Sequence, residues 1–290
     1  MDLDLSKFRV VSKKKFSLSN YSPSYSGKLK SKEGAQKFLK KNIEHMVELQ
    51  NKLYAENKWA LLIIFQAMDA AGKDSAIKHV MSGLNPQGTE VFSFKQPSAE
   101  ELDHDYLWRI TKSLPERGRI GIFNRSHYED VLVVRVRDYV KSSKLPIQFI
   151  TKDIWNDRFR QINNFERYLY ENGILTIKFF LNLSKEEQKK RFLERLDNPS
   201  KNWKFSEADL NERGLWNEYQ KVYEEAIAAT ATKNSPWYII PADKKWFARL
   251  AISEVIIKTL EKLKLEYPKL DEEQIQNLSK YKEILSNEKE

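Results

Sequence analysis

The feature that most constrains the fold of this chain is a stretch at residues 61–78, LLIIFQAMDAAGKDSAIK. It begins with an apolar run, residues 61–65, that is typical of a buried parallel strand. It ends with residues 74–78, which have the pattern of the first turns of a helix, and a small-residue loop with Gly-Lys lies between. This is the layout of a P-loop, in which backbone N–H groups and a helix N-terminus bind phosphate and the lysine reaches the transferred group. The predicted phosphate contacts are Ala70, Ala71, Gly72, Lys73, Asp74 and Ser75.

The match to the pattern G-x-x-x-x-G-K-[ST] is incomplete at two positions. Ala67 stands at the first glycine, and Asp74, followed by Ser75, stands at the metal-binding hydroxyl. A carboxylate at that position repels phosphate unless a cation or Lys73 lies between them, so the ordinary ATP-hydrolysing geometry is not expected. The alternative is a strand-to-helix turn with a chance Gly-Lys, but the flanking strand and helix favour phosphate binding.

The composition indicates a globular protein with a heavily charged surface, because 41% of the 290 residues are hydrophobic and 31% are charged. No apolar run approaches the roughly 18 residues of a membrane span, and the first residues lack a signal-peptide core. The absence of cysteine excludes disulfides and thiolate metal sites and agrees with a reducing compartment. We therefore expect a cytoplasmic location.

The net charge of +9 predicts a polyanionic partner. Nucleic acid is the usual candidate for such a charge, so a nucleic-acid-binding protein is one alternative hypothesis. The modules that commonly bind nucleic acid are absent from the sequence, and we expect neither nucleic acid nor a membrane as a partner.

Strand and helix patterns alternate along the chain. Further strands are predicted at residues 91–94, 119–123, 174–181 and 237–240, and helices at 32–56, 98–110, 153–172, from 184 onward, 212–232 and 244–263. Residues 1–31 are predicted as an irregular arm, and 271–290 as a docked helix or a frayed tail. The pattern predicts one doubly wound α/β domain with a parallel sheet. Because ligands bind beyond the carboxyl ends of such strands, the loops after residues 65, 123 and 181 are expected to share one cleft.

Two of these loops carry a concentration of polar side chains. Residues 124–130, NRSHYED, directly follow the third strand, where Arg125 can clamp a phosphate and Glu129 or Asp130 can bind a metal or orient an acceptor. The alternative is a capped helix start, since acidic residues are favoured there. Arg191 and Arg195 lie on one helix face, either as part of a phosphate-closing lid or as a solvated basic face.

Other conspicuous residues are better explained by structure. Arg135 and Arg137 are predicted on one side of an extended segment, where a structural role is favoured over a continuing basic track. His104 and His127 suggest a metal site or a phosphohistidine. We discount both, because no second ligand has metal spacing and transfer between phosphates needs no covalent carrier.

Four segments in combination resemble the polyphosphate kinase type 2 family. They are MDAAGKDSAIKHVMSGLNPQG, FKQPSAEELDHDYLWR, LPERGRIGIFNRSHYEDVLVVRV and NWKFSEADL…LWNEY, and the resemblance covers about residues 59–223. The resemblance implies a P-loop kinase-like three-layer α/β/α fold with a mainly parallel sheet and a helical lid at about residues 185–215. The domain is then expected at residues 32–267, between the arm (1–31) and a C-terminal helical tail (268–290).

The resemblance also assigns roles to single residues. Its P-loop acid and lysine fall on Asp69 and Lys73, its second motif on Asn124, Arg125, Glu129 and Asp130, and its lid arginines on Arg191 and Arg195. It implies dependence on Mg²⁺, with Mn²⁺ as an alternative, and the predicted metal ligands are Asp69 and Glu129. Assembly as a homotetramer or a homodimer is also implied.

The resulting hypothesis is direct, in-line transfer of the terminal phosphoryl group of inorganic polyphosphate to adenine nucleotides, with guanine nucleotides as an alternative. Residues Ala67, Asp74, Asn124 and Glu129 resemble the class III branch, associated with phosphorylation of both AMP and ADP. Because an acceptor phosphate is largely ionised at neutral pH, catalysis needs charge stabilisation rather than a strong base. The predicted catalytic residues are Asp69, Lys73, Arg125, Glu129 and Asp130. An ATP-dependent nucleoside monophosphate kinase on the same fold is the second alternative.

Overall fold

The structure is a computed structural model that describes residues 3–11, 16–29 and 31–288. A six-stranded sheet forms its centre. The strands are β1 (Arg9–Val10), β2 (Ala60–Gln66), β3 (Thr89–Ser93), β4 (Ile120–Asn124), β5 (Ile174–Asn182) and β6 (Trp237–Pro241). Their order across the sheet is β1-β6-β5-β2-β4-β3, and β1 is antiparallel to β6 whereas the other neighbours are parallel. The predicted α/β class with a mainly parallel sheet is confirmed.

The helices cover both faces of this sheet. They are α1 (Lys32–Glu56), α2 (Lys73–Val80), α3 (Ala99–Leu102), α4 (Trp108–Thr111), α5 (Val133–Val136), α6 (Ile154–Glu171), α7 (Lys185–Leu196), α8 (Glu207–Gly214), α9 (Trp216–Thr230), α10 (Lys245–Glu261) and α11 (Glu272–Ser286). Side chains of β2 alternate between two apolar cores, so Ile63 packs with α1, α2 and α10 whereas Ile64 packs with α6 and α9. This alternation gives the three layers.

The central strand β2 is buried along its whole length, which explains its unbroken apolar run. Its last residues pair with β4 on one side, Phe65 opposite Asn124, and with β5 on the other, Gln66 opposite Phe180. The three strands therefore end at the same edge of the sheet. The loops that follow them meet there, as predicted.

Four local features differ from the sequence-based expectations. The arm contains β1, which pairs with β6, and the expected helix at 98–110 is two short helices, α3 and α4. The expected helix at 212–232 is interrupted at Leu215, between α8 and α9. Arg135 lies in α5 and Arg137 caps it, so the prediction of an extended segment there was wrong.

Helix α11 forms in the expected tail and begins with a capping box between Asp271 and Gln274. None of its residues is buried, and the apolar side chains Ile275, Leu278 and Tyr281 are more than half exposed. Among the described residues, no helix is long and apolar enough to cross a membrane.

Candidate active site

The loop between β2 and α2, residues 67–72, forms the floor of the candidate site. Ala70 and Gly72 have left-handed backbone angles, with φ of +62° and +101°, and Gly72 is the N-cap of α2. Such angles cost glycine little, but they strain a residue with a side chain, as at Ala70. The loop therefore turns sharply into the helix and directs the N-terminus of α2 toward the edge of the sheet where the three strands end.

Lys73 is the first residue of α2, and its Nζ donates a hydrogen bond to the Ala67 carbonyl at 3.0 Å. Burial lowers the pKa of this lysine, and the positive charge of Arg125 lowers it further, while Asp69, Glu129 and Asp74 act in the opposite direction. Lys73 therefore lies close enough to four charged residues of the predicted site for their charges to act on it.

Arg125 links the loop after β4 to the loop after β2. Its backbone N–H donates to the Phe65 carbonyl at 3.0 Å, and its own φ is +65°. Its guanidinium lies 3.3 Å from the Asp69 carboxylate and 3.9 Å from that of Glu129. The side chain is 41% exposed, so a cationic surface remains open to a ligand at the point where the two loops meet.

The two residues that depart most from the usual P-loop pattern are partners. The side-chain amide of Asn124 donates a 2.7 Å hydrogen bond to the Asp74 carboxylate. An aspartate at position 124 would instead place two carboxylates together, which is unfavourable. The amide therefore matches the acid at position 74.

Ser75, the next predicted phosphate contact, accepts a hydrogen bond of 2.8 Å from Arg249 on α10. This contact fixes the hydroxyl against the helix layer rather than leaving it free at the loop.

Glu129 and Asp130 are adjacent in sequence but face different surroundings. Burial raises the pKa of Glu129, while Arg125 and Lys73 oppose the rise. Asp130 instead lies 3.6 Å from Arg158 of α6, and burial raises its pKa to about 6. Glu129 thus belongs with the lysine and arginine group, and Asp130 forms a neighbouring group with Arg158.

Arg191 is in a different position from the one expected of a lid residue. It is 3% exposed, and its Nη atoms donate to four carbonyls at 2.7–3.0 Å: those of Ala70, Ala71, Ala242 and Asp243. Its Nε donates to Glu187 at 2.9 Å, so all five N–H groups of the guanidinium are used. The prediction that Arg191 binds phosphate does not fit this arrangement, because the side chain supports the loop from beneath.

Gln188 also supports the β2–α2 loop from α7, since its side-chain amide donates to the Asp69 carbonyl at 2.9 Å. Arg195, one turn beyond Arg191, is partly exposed, lies over the Phe192 ring and donates to the Lys204 carbonyl at 3.5 Å. Of the two arginines predicted in the lid, Arg195 is therefore the one whose side chain faces outward.

The residues for which a structural role was favoured have structural contacts. Arg135 pairs with Glu225 at 2.6 Å and Arg137 with Glu212 at 2.7 Å, both on the helix layer. His127 is fully buried, and burial lowers its pKa. Among the described residues neither of its ring nitrogens has a hydrogen-bond partner.

Sequence reasoning missed a buried polar cluster around Tyr128, the residue before Glu129. Lys178 of β5 donates to Glu166, to the Tyr128 hydroxyl and to the Thr230 carbonyl at 2.5, 3.0 and 2.9 Å. The available signal was a lone lysine within an apolar strand, residues 174–182, since a buried charge requires a partner.

Tyr219 and Tyr223 of α9, also missed, border the site. The charges of Glu129 and Arg125 both act on the pKa of Tyr223, which is raised mainly by burial. Their spacing of four residues marks a helix face, but gives no indication that it faces the site.

Within the described residues, no group of three or more histidine or acidic side chains is arranged to hold a metal ion. Mg²⁺, however, is commonly bound through one or two carboxylates together with substrate phosphates. Asp69 and Glu129, on either side of Arg125, are a donor set of that kind. The residues therefore fit Mg²⁺ bound together with a phosphate ligand.

The fold and the site define a class: parallel α/β proteins that gather a Gly-Lys loop, a second cation and carboxylates at the carboxyl ends of adjacent strands. Residues 28–268 match the family Polyphosphate kinase 2 (PPK2). The chain belongs to this family, and it is a phosphotransferase of that type.

Similar proteins span nearly the whole chain. An ADP-polyphosphate phosphotransferase of Rhodopseudomonas palustris is 52% identical over 92% of this chain and 93% of its own. An AMP/ADP-polyphosphate phosphotransferase of Meiothermus ruber is 43% identical over 91% and 96%. The crystal structure of polyphosphate kinase 2 from Arthrobacter aurescens is 39% identical, covers 95% of both chains and superposes with a TM-score of 0.87.

Proposed function

We propose that this protein is a polyphosphate-dependent nucleotide kinase that transfers the terminal phosphoryl group of inorganic polyphosphate to AMP and ADP. The observation that carries the proposal is the group formed by Lys73, Arg125, Asp69 and Glu129 at the meeting point of the loops after β2 and β4. Family membership and the names of the two relatives support the same reaction.

The group contains the parts that in-line phosphoryl transfer requires. Two polyanions must approach each other, and charge on the transferred group must be stabilised. The N-terminus of α2, Lys73 and the exposed side of Arg125 supply positive potential. Arg195 is proposed to contact polyphosphate from α7.

Asp69 and Glu129 are proposed to hold Mg²⁺, with Mn²⁺ as an alternative. When bound, the ion would neutralise charge on the phosphates. Arg125 lies between these carboxylates and holds both in place, so the ligands are oriented before a phosphate arrives. The tight pairing of Asn124 with Asp74 keeps the latter carboxylate from facing a phosphate alone.

The acceptor range is the part of the proposal that most needs a measurement, because the two relatives differ on it. The R. palustris protein is named for ADP alone, and the M. ruber protein for both AMP and ADP. We propose acceptance of both, on the strength of the Glu129 and Asn124 pattern.

A substrate matrix tests the proposal: polyphosphate or ATP as donor against AMP, ADP and GDP as acceptors, with Mg²⁺ and with Mn²⁺. ADP and ATP should form from polyphosphate and AMP without added ATP. Products formed only with ATP as donor would favour the nucleoside monophosphate kinase.

Lys73→Met should lower turnover by about 10²- to 10³-fold, as expected for loss of one group that stabilises transition-state charge. Lys78→Met is the matched control, because Lys78 is exposed on the same helix. It should leave turnover and folding unchanged. Salt-dependent DNA or RNA binding by both variants, without phosphotransfer by the wild type, would instead favour the nucleic-acid-binding alternative.

Assembly as a homotetramer or homodimer is also proposed from the family resemblance, and light scattering coupled to gel filtration measures it. The cytoplasmic location stays a prediction from composition.

A further inference from the structure

The peptide between Asp69 and Ala70, in the β2–α2 loop, is held in one orientation by a side chain of α7. The Asp69 carbonyl accepts a hydrogen bond from the side-chain amide of Gln188 at 2.9 Å. In a trans peptide the carbonyl and the N–H point in opposite directions, so the Ala70 N–H is directed away from α7. Within the part of the chain that the structure describes, no acceptor is hydrogen-bonded to this N–H. It is therefore free for a ligand, and Ala70 is one of the predicted phosphate contacts.

This orientation strains Ala70. Its φ of +62° lies in the left-handed region, which is costly for a residue with a side chain. Turning the peptide over would return this φ to the negative range and relieve the strain. The same rotation would put the Asp69 carbonyl where the Ala70 N–H now points, and a carbonyl is an acceptor that repels phosphate oxygens. The relaxed loop would be the poorer phosphate site, so the strained loop requires contacts that hold it.

Gln188 can hold the strained orientation only if the oxygen and nitrogen of its amide are correctly placed. The side chain is 1% exposed, and its Oε1 accepts from Arg213 of α8 at 2.8 Å while its Nε2 donates to Asp69. A guanidinium has donors and no acceptors, so Arg213 requires the amide oxygen on its side. The amide nitrogen is then left for the Asp69 carbonyl. Arg213 thereby selects the amide orientation that keeps the peptide in place.

Arg213 is held in place by contacts on either side of it. Its Nη1 also donates to the carbonyl of Lys185, in the first turn of α7, at 2.8 Å. The preceding residue, Glu212, accepts from Arg137 at the end of α5, at 2.7 and 3.0 Å. Helix α8 is thus tied to α7 and to the end of α5, and these contacts keep Arg213 beside Gln188.

We propose that Arg213 and Gln188 are positioning residues that hold the Asp69–Ala70 peptide with its N–H directed at the phosphate ligand. The inference rests on the proposed function and deepens it, because it makes phosphate binding by the loop depend on an orientation that α7 and α8 set. Neither side chain has to touch the substrate. Arg191 acts beside them, since it binds the carbonyls of the next two residues of the loop.

Calorimetric titration with tripolyphosphate and Mg²⁺, without nucleotide, tests the proposal. Gln188→Met keeps the length of the side chain but removes the donor to Asp69, so the affinity should fall about tenfold as the peptide relaxes. The matched control is Gln50→Met, because Gln50 is also 1% exposed and donates to a loop carbonyl, that of Asn85, at 2.9 Å. That contact lies before β3, at the opposite edge of the sheet. The control should lower the thermal midpoint but change the affinity less than about twofold.

Ala70→Gly separates positioning from a general loss of structure. It removes the cost of the left-handed angle, so in the Gln188→Met background it should restore most of the lost affinity. Removing one methyl group would not repair a cavity or a displaced helix.

Arg213→Met is a second variant that guards against a folding defect, because Arg213 is partly exposed. It should weaken tripolyphosphate binding about threefold or more, while the thermal midpoint reports folding. Ala70→Gly should again restore affinity, which it could not do if the loss came only from the missing charge.

Unchanged affinity in folded Gln188→Met and Arg213→Met would overturn the inference, as would losses that Ala70→Gly does not restore. The proposed function fails in a different way, if the wild type binds tripolyphosphate but makes no ATP from polyphosphate and ADP. A wild type that binds no tripolyphosphate would overturn both.

Discussion

The buried pair of Lys178 and Glu166 gives a prediction whose size can be worked out from contacts. Lys178 is fully buried in β5, and its three N–H donors are used by Glu166, Tyr128 and Thr230. The other Glu166 oxygen accepts from the Tyr128 hydroxyl at 2.8 Å. The cluster therefore has one positive and one negative charge, and each is almost wholly compensated by the other.

Lys178→Met keeps a side chain of similar length but removes the positive charge and all three donors. Glu166 is then left as a buried charge with Tyr128 as its remaining close donor. Breaking a buried ion pair from one side typically costs about 3–5 kcal/mol, a large part of the roughly 5–15 kcal/mol that stabilises a typical domain. We expect a loss of that size at pH 7, measured by urea unfolding with an unchanged denaturant slope.

The loss should depend on pH, with a defined sign. In the wild type, burial raises the pKa of Glu166, but Lys178, with a smaller contribution from His127, outweighs burial and holds the pKa below its ordinary value. Without Lys178, burial dominates and the folded-state pKa rises above the unfolded value. Stability of the variant is then greatest below the unfolded pKa of about 4.5 and is lost as pH rises. The deficit should be smaller at pH 5 than at pH 8.

Two further variants complete the test. Lys178→Met/Glu166→Met removes both charges and should cost about 1–3 kcal/mol, less than the sum of the single changes, because the Tyr128 hydroxyl loses its acceptor but no charge is stranded. Lys141→Met breaks an exposed pair with Asp138 and should cost less than about 1 kcal/mol. A Lys178→Met protein as stable as the Lys141→Met control at pH 7 would refute the reasoning.

Four other predictions concern the candidate site. Asp130→Asn should raise the thermal midpoint more at pH 8 than at pH 5. The folded pKa of Asp130 is raised to about 6, so its ionisation destabilises the fold increasingly as pH rises from the unfolded pKa toward 6; a larger gain at pH 5 than at pH 8, by calorimetry, contradicts this. Arg191→Lys should destabilise the fold, measured by urea unfolding, by about 1–3 kcal/mol for each carbonyl left without a donor, and it should also lower turnover. The control Arg195→Lys should leave the urea midpoint unchanged. Arg195→Ala should raise the KM for polyphosphate without loss of stability, and an unchanged KM removes Arg195 from the polyphosphate contact. Asn124→Asp sets a second carboxylate against Asp74 and should therefore weaken polyphosphate binding in fluorescence or calorimetric titrations. The double variant Asn124→Asp/Asp74→Asn should restore part of the lost affinity. A double variant that binds polyphosphate no better than Asn124→Asp would show that the two residues act independently.

The fold was predictable where periodicity extends over many residues. The boundaries of α1 were predicted because its apolar spacing is regular, and in the structure the Ser31 side chain caps its start. Strand β1 was not, since two residues carry no period. The break between α8 and α9 follows Gly214, a signal that the apolar pattern of residues 212–232 concealed.

The candidate site was predictable to the extent that it depends on topology. Parallel strands bring their carboxyl ends together, so Lys73, Arg125 and Glu129 could be grouped from the order of the elements alone. Side-chain direction could not be inferred in this way. Arg191 and Arg195 share a helix face by spacing, but the rotation of α7 against the β2–α2 loop places Arg191 beneath the loop and leaves Arg195 partly exposed.

The short pairing of β1 with β6 affects how the protein can be shortened or tagged. Arg9 and Val10 cover the edge of β6, and an uncovered strand edge is a template on which another chain can add. Deleting the first ten residues would expose that edge and favour self-association of misassembled protein. A purification tag is therefore better attached after α11, because no residue of that helix is buried.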